Sequence, residues 1–396
     1  MNNIKTILII SYSSLHRDPR ILKQVQSLGS DYRILTIGYT PIDNEAIKHY
    51  SINKPKRKSI LRKIFLTWCS FINRSYYIIK LLESNLDLDN ILNQDIDNPN
   101  GIIANDCYGL YLASILKSKY SWPAKIYFDA HEYEPRHFDK SLFWRLFRKP
   151  LVEYILKKCR KDITIMSTVC DGIAKEYERY FKFPSGFVKV ITNAAEYCNC
   201  AGINKINNSK IRLIHHGGAM KARKLELMVK MMKYLDPKKY ELTFMLVKST
   251  PGYYEYLIKI SKKYNIKFID PVPYYQITNT LNVFDIGVYI LKPYSFNGKY
   301  ALPNKLFEFI QARLATAIGP SIEMAKILRK YNLGIASKKF TPKSLAESIA
   351  KMTPDEIMQY KTNADKHART LSAENNIIEI KKIVDELVSV HNVDTL

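Results

Sequence analysis

Short apolar runs rich in β-branched residues recur at 6–10, 33–37, 101–104, 126–128, 163–166 and 188–191, and the intervals leave room for helices between them. That alternation predicts strands of a parallel sheet covered by helices, the doubly wound α/β arrangement. Between the first two runs, Ile21, Leu22, Val25 and Leu28 share one helical face and Gly29 follows, which places a helix directly after the first strand. The pattern breaks over 193–210, where Asn193, Asn204, Asn207, Asn208 and Ser209 mark a polar linker. It restarts with runs at 212–215, 242–246, 267–269, 286–290, 315–318 and 334–336, alternating with helical patterns at 225–235 and 306–313. Ile377, Ile380, Ile383, Val384 and Leu387 then recur at helical spacing and predict a closing amphipathic helix. The expected organisation is therefore a Rossmann-like domain over 1–192, a linker over 193–210, a second Rossmann-like domain over 211–372, and a terminal helix over 373–396 returning to the first domain. Two such sheets face their carboxyl ends towards a central cleft, where ligands of open α/β sheets bind.

A length of 396 residues agrees with two domains of similar size. No apolar run reaches the roughly 18 residues of a membrane span, and no cleavage-site pattern follows the first strand at Ser11, so a cytoplasmic protein is expected. The six cysteines include no CxxC pair and read as reduced thiols rather than a zinc site. Charge changes the picture more, because 61 Lys and Arg against 37 Asp and Glu leave a formal +24 that calls for anionic partners. Lys54, Lys56, Arg57, Lys58, Arg62 and Lys63 lead into Ile60, Leu61, Ile64, Phe65, Trp68, Phe71 and Ile72 at helical spacing. A second basic aromatic segment runs from Phe143 and Trp144 through Arg145, Phe147 and Arg148 to Lys149. Either alone fits a core-packed helix with a basic edge as well as it fits a membrane, but two in one half of the chain favour contact with an anionic membrane surface. Asp87-x-Asp89 and Asp95-x-Asp97 resemble a metal-binding pair, yet they lie in an Asn/Asp-rich stretch without a supporting strand and read as a solvated loop. No metal is expected.

The most informative chemistry is the segment 302–310 that closes into 315–320, a loop, a helix start and a buried strand. Pro303 suits a first helical turn, where its absent N–H would be unpaired anyway, and the amides from Asn304 to Phe307 make a positive helix end that attracts an anion. Lys305 adds a full charge. Glu308, one turn after Asn304, can accept hydrogen bonds from hydroxyls of the same ligand. A phosphate joined to a sugar fits this pattern.

Four places together, Asp18-Pro19-Arg20-Ile21-Leu22, Tyr127-Phe128-Asp129-Ala130-His131-Glu132, His216-Gly217-Gly218 with Arg223-Lys224-Leu225, and Leu302 to Glu308, give the chain its resemblance to a known family. The chain resembles the GT-B glycosyltransferases, and within them the retaining family-four group that builds bacterial surface polysaccharides such as capsule or lipopolysaccharide. The resemblance implies a metal-independent hexosyl- or related transferase without cofactor, which takes a nucleotide diphosphate sugar as donor and a lipid-linked or polysaccharide acceptor. It implies that Arg223 and Lys305 neutralise the diphosphate and that His131 faces the donor sugar. It also implies that Gly217, Gly218, Asn304, Leu306 and Glu308 bind the donor, with Glu308 on the ribose. Arg20 and Glu132 fall on the acceptor or diphosphate side. Tyr300 stands where many members carry a first glutamate, and Gly218 where many carry an arginine, which leaves more of the diphosphate to Arg223. Read without the family, His131 also fits a residue closing a strand end, Arg20 a surface arginine in a first helical turn, and the glycine pair a simple turn.

Two other readings compete. A nucleotide-sugar epimerase would share the fold and the ribose carboxylate but would need further acid/base carboxylates. A basic nucleic-acid-binding protein would use the +24 charge, although no zinc-finger, RNP or helix-turn-helix pattern is present.

Overall fold

The computed structural model describes residues 4–54, 82, 86–199, 202–206 and 210–389. The first basic segment, with Lys56, Arg57, Lys58, Arg62, Lys63, Phe65 and Trp68, lies outside the described residues. The chain divides into two compact units, one of Met1–Ile191, Ser295–Asn297 and Ile377–Leu396, the other of Thr192–Tyr294 and Gly298–Asn376.

In the first unit seven strands form one parallel sheet: β1 (Thr6–Ile10), β2 (Arg33–Gly38), β3 (Lys48–Ser51), β4 (Gly101–Asn105), β5 (Lys125–Asp129), β6 (Ile163–Thr168) and β7 (Val188–Val190). Their spatial order is β3-β2-β1-β4-β5-β6-β7, so the winding reverses between β1 and β4. β1 is buried along its whole length because it has a strand on each side and a helix layer on each face. Helix α1 (Pro19–Leu28) starts at Asp18, whose carboxylate accepts from the amide of Arg20 at 3.1 Å. The final helix, Ala373–Ser389, sends Ile380, Ile383, Val384 and Leu387 into the same core as Ile7, Ile9, Ile21 and Leu28, as its periodicity predicts.

The polar runs were the least legible. β3 reads Lys-His-Tyr-Ser and was not expected; it is an edge strand with only Tyr50 buried. The stretch expected as a solvated loop holds a short helix, Leu88–Leu92; Asp89 and Asp95 are exposed as expected, but Asp87 and Asp97 are structural. Asp87 accepts from the Asn53 amide at 2.7 Å, while Asp97 pairs with Arg33 and Lys48, each at 2.6 Å, and so ties β2 and β3 together. In the second basic segment Phe143 is exposed and Phe147 half-buried against it, but Trp144 is buried inside the domain. Membrane contact through Trp144 is thus corrected: its ring belongs to the interior. Among the described residues no helix is long and apolar enough to cross a membrane.

The second unit repeats the winding with six parallel strands: β8 (Ile211–Ala219), β9 (Tyr240–Lys248), β10 (Ile266–Ile269), β11 (Ile286–Tyr289), β12 (Ala315–Ile318) and β13 (Gly334–Ala336), ordered β10-β9-β8-β11-β12-β13. Here the reversal falls between β8 and β11, which pair only through Ile286 with Leu213 and Gly287 with Ile214. The base of that pairing is fixed by the fully buried Asp285. It accepts from Arg212 N at 2.8 Å and Nε at 3.3 Å and has the buried Lys361 ammonium 3.7 Å away. Burial lowers the Lys361 pKa even beside this carboxylate.

Candidate functional site

Past Ile214 the ladder between β8 and β11 ends, and a side chain takes its place: the His215 ring bonds through Nδ1 to the Val288 carbonyl at 2.8 Å. Because a carbonyl only accepts, that nitrogen carries the proton. The ring is held neutral, its pKa driven well below the usual range by burial and by the nearby Lys305 charge. The crevice so opened lies at the carboxyl ends of the strands where the winding reverses, the place where open α/β sheets bind ligands.

The helix Asn304–Gln311 closes one side of this crevice. It can approach β11 because Gly287 has no side chain; a Cβ there would come within 2.5 Å of the Phe309 ring. Phe309 in turn packs edge-on against His216, with ring centroids 5.4 Å apart. This seating aims Lys305 inward. Its buried ammonium donates to the His216 carbonyl and lies 5.2 Å from the centre of the Tyr289 ring. Gly217 sits beneath it with φ of +116°, and a Cβ there would meet the Lys305 Nζ at 2.6 Å and the Arg223 Nη1 at 3.8 Å. Glycine at 217 is therefore required twice, by its backbone angle and by the cation above it. Lys305 and Arg223 converge on this spot, and among the described residues no carboxylate pairs with the Arg223 guanidinium. Burial, only partly offset by Glu308 and reinforced by Arg223, pushes the Lys305 pKa down to about 7. An anion placed here would restore its proton.

Glu308 is buried one turn further along the helix, with its Oε2 3.3 Å from His216 Nε2. That distance suits an ion pair, but burial keeps His216 neutral and the ring nitrogen makes no hydrogen bond, so the carboxylate is not neutralised by it. Glu308 also lines a cavity of about 280 Å³ together with Tyr197, Tyr274, Tyr275 and Asn279. Tyr274 and Tyr275 follow β10 in a Val-Pro-Tyr-Tyr turn whose only sequence signal was a pair of aromatics after a strand, and they, like Tyr197, were missed.

Some expected contacts change. Leu306 is 1% exposed and its amide donates to the Pro303 carbonyl, so it serves the core and not a ligand; the free helix-end amides are earlier. Gly217 and Gly218 belong to β8 rather than to a turn, and a Cβ on Gly218 would lie 2.8 Å from the Ser249 hydroxyl. Asn304 is exposed at the first helical position, and Tyr300 lies half-buried under the Lys299 ammonium, 5.2 Å from its ring centre.

In the first unit the comparable strand end is β5. Its last residue, Asp129, is buried and accepts from Arg20 Nε at 2.5 Å, from Arg20 Nη2, from Gln24 at 2.9 Å and from Ser167 at 2.5 Å. Burial alone would raise its pKa, but the guanidinium and these hydrogen bonds hold it lowered. Arg20 is thus neither a surface arginine nor open on its Nε side; it is clamped. His131, two residues past Asp129, is half-buried, and its carbonyl accepts from Thr168 at 3.4 Å. Glu132 accepts from Asn297 at 3.0 Å and lies 3.3 Å from His137. Asp129 stood inside a motif already singled out, but only the tertiary contacts give it a role.

Two doubly wound parallel-sheet domains, the second with a cationic crevice at its switch point, define the GT-B class of fold. Among solved structures the chain is similar to a glycosyltransferase from Rickettsia africae, with 12% identity, TM-score 0.67 and coverage of 98% of this chain and 100% of that one. A second is a trehalose-6-phosphate structure from E. coli bound with UDP-2-fluoro glucose, at 11% identity, TM-score 0.65 and coverage of 98% and 100%. A third is HepE from Anabaena in complex with UDP, at 10% identity, TM-score 0.65 and coverage of 97% and 100%. At such identities the likeness is one of fold. No protein-family model and no curated protein matches the sequence.

Proposed function

We propose that this protein is a glycosyltransferase that moves a sugar from a nucleotide diphosphate sugar to a lipid-linked or polysaccharide acceptor, with retention, in bacterial surface-polysaccharide assembly. The observation that carries the reading is the convergence of Lys305 and Arg223 over Gly217, beside the Glu308 cavity. Two cations at a helix start suit a diphosphate, and a buried carboxylate one turn away suits the ribose hydroxyls. Neighbours of the same fold bound with UDP and with UDP-2-fluoro glucose support this class of donor.

In this reading the bond between the anomeric carbon and the diphosphate oxygen breaks, and the acceptor oxygen bonds to the same carbon from the same face. The acceptor proton passes to the departing phosphate oxygen. Lys305, Arg223 and the helix-end amides stabilise the charge that grows there. No side chain needs to act as a nucleophile. His131 is assigned to the donor sugar on the family resemblance. The exposed Phe138, Leu142 and Phe143 near Arg145 and Lys149 favour a peripheral place at the inner face of the membrane.

A thermal-shift screen of nucleoside diphosphates tests the donor site. At least one is expected to raise the melting temperature, and Glu308→Ala is expected to remove most of that rise. If no nucleoside diphosphate shifts melting and none is released from any sugar nucleotide in the presence of bacterial lipid extract, the reading fails. Gly217→Ala is expected to weaken binding of the stabilising nucleotide at least tenfold in calorimetry, because the added carbon displaces the Lys305 ammonium; unchanged affinity would remove that contact from the site.

Affinity for the sugar nucleotide is expected to follow the Lys305 proton. With its pKa lowered to about 7 by burial, binding of a diphosphate favours the protonated form, so affinity is full below pH 7 and falls by up to about tenfold per pH unit above it. A sugar nucleotide keeps constant diphosphate charge through this range, so titration calorimetry from pH 6 to 9 reads the protein alone.

A further inference from the structure

The chain enters the first unit a second time, for the short stretch Ser295–Asn297, while Tyr294 and Gly298 on either side belong to the second. The insertion is firmly seated. Phe296 and Asn297 are each only 8% exposed, and the Phe296 ring packs on the Tyr133 ring with centroids 4.9 Å apart. The Arg136 guanidinium lies 4.6 Å from the centre of the Phe296 ring.

What it holds is the loop after β5. Residues 130–133 leave the sheet without entering a helix, so their backbone groups need other partners. Side chains supply most of them. Thr168 donates to the His131 carbonyl at 3.4 Å, and the Tyr177 hydroxyl donates to the Glu132 carbonyl at 2.8 Å while accepting from the Glu134 amide at 3.0 Å. Asn297 accepts from the amide of the buried Tyr133 at 2.9 Å, and it donates to Glu132 Oε2 at 3.0 Å and to the Tyr133 carbonyl at 3.4 Å. The Tyr133 N–H can only donate, so Asn297 Oδ1 must face it, and the two hydrogens on Nδ2 are left for the two oxygens. Both ends of the side-chain amide are engaged. Aspartate would bring no donor to this place, and alanine would strand the buried Tyr133 amide. His131 directly precedes these bonds and follows the clamped Asp129 by two residues, so its backbone is fixed on both sides. Thr168 ends β6 and Tyr177 lies on the helix Asp171–Phe181, whereas Asn297 comes from the stretch of chain leading from β11 to the helix Asn304–Gln311.

We propose that Asn297 is a positioning residue for sugar transfer: its amide holds the His131–Tyr133 loop in one conformation and so sets where the His131 side chain stands. The part played in transfer rests on the glycosyltransferase reading; the hold on the loop does not depend on it.

Hydrogen–deuterium exchange on the full chain tests the hold, and turnover tests the role. In Asn297→Ala, peptides covering 131–137 are expected to exchange about tenfold faster or more, while those covering 101–116 stay unchanged and establish that the domain is folded. Release of nucleoside diphosphate from the sugar nucleotide that stabilises the parent, with bacterial lipid extract present, is expected to lose about tenfold or more in kcat. The KM for the donor is expected to stay within about twofold, because the variant leaves the donor cations untouched. Asn297→Asp is expected to lose as much, since it sets a carboxylate against Glu132. Adding Glu132→Gln to it restores an amide–carboxylate pair with the roles exchanged, so the double variant is expected to be faster than Asn297→Asp alone. The proposal is overturned if loop exchange is unchanged in Asn297→Ala, if its kcat stays within about twofold of the parent, if donor KM rises in step with the loss, or if the double variant is no faster than Asn297→Asp. If the parent itself releases no nucleoside diphosphate, the glycosyltransferase reading falls, and exchange in the loop alone decides whether Asn297 holds it.

Discussion

Replacing Lys305 with alanine is expected to slow sugar transfer at saturating donor by about 10²- to 10³-fold, the usual loss when one pre-set charge-stabilising group is removed. The ammonium is already fixed by the His216 carbonyl and the Tyr289 ring, so it does not reorganise as charge develops on the leaving diphosphate. Burial lowers its pKa, so an anion beside it favours the charged form. Affinity for the product nucleoside diphosphate should fall as well, since that species carries the full charge. Lys305→Arg is expected to rescue little, because a planar fork needs room that Gly217 and the crossing backbone do not leave. Turnover measured under saturating sugar nucleotide decides it, and an unchanged kcat would take Lys305 out of the chemistry.

Asp129→Ala is expected to destabilise the first domain by about 3–5 kcal/mol, the range found when one partner of a buried pair is removed. Arg20, whose side chain is only 20% exposed, would keep its charge without a carboxylate, and Gln24 and Ser167 would each lose an acceptor. Asp129→Asn should cost less, since an amide preserves the shape. Trp122 and Trp144 lie in the first unit and no tryptophan follows them in the sequence, so urea unfolding followed by tryptophan fluorescence reports on that domain. A loss below about 1 kcal/mol would mean that the pair adds nothing beyond an exposed one. The sign with pH follows from the lowered native pKa: the contribution is present above the ordinary carboxylate pKa of about 3.9 and is lost as pH falls through the native value.

The elements most legible beforehand were those with the strongest period. Strands β1, β2 and β4 are mostly apolar where they are buried, β8 opens with a short apolar run before its buried histidines, and the terminal helix repeats its apolar residues at helical spacing. β3 escaped notice because an edge strand buries one side chain and needs no apolar run. Trp144 was misassigned for the complementary reason: a ring among arginines looks interfacial in sequence, and only packing tells which way it turns.

The sequence by itself determined two doubly wound domains and a helix start bearing Lys305 and Glu308, because burial periodicity and helix-end chemistry are local properties of the chain. Through the family resemblance it also assigned Arg223 to the diphosphate and Gly217 to the donor, without showing how the two meet Lys305. Only the tertiary structure decided that Lys305 hangs over Gly217 beside Arg223, that Asp129 holds Arg20, and that Asn297 bonds the Tyr133 amide. Those pairings join residues from about 80 to more than 160 positions apart, and their energies come from burial and from the polar and charged groups brought near, neither of which exists until the sheets have formed.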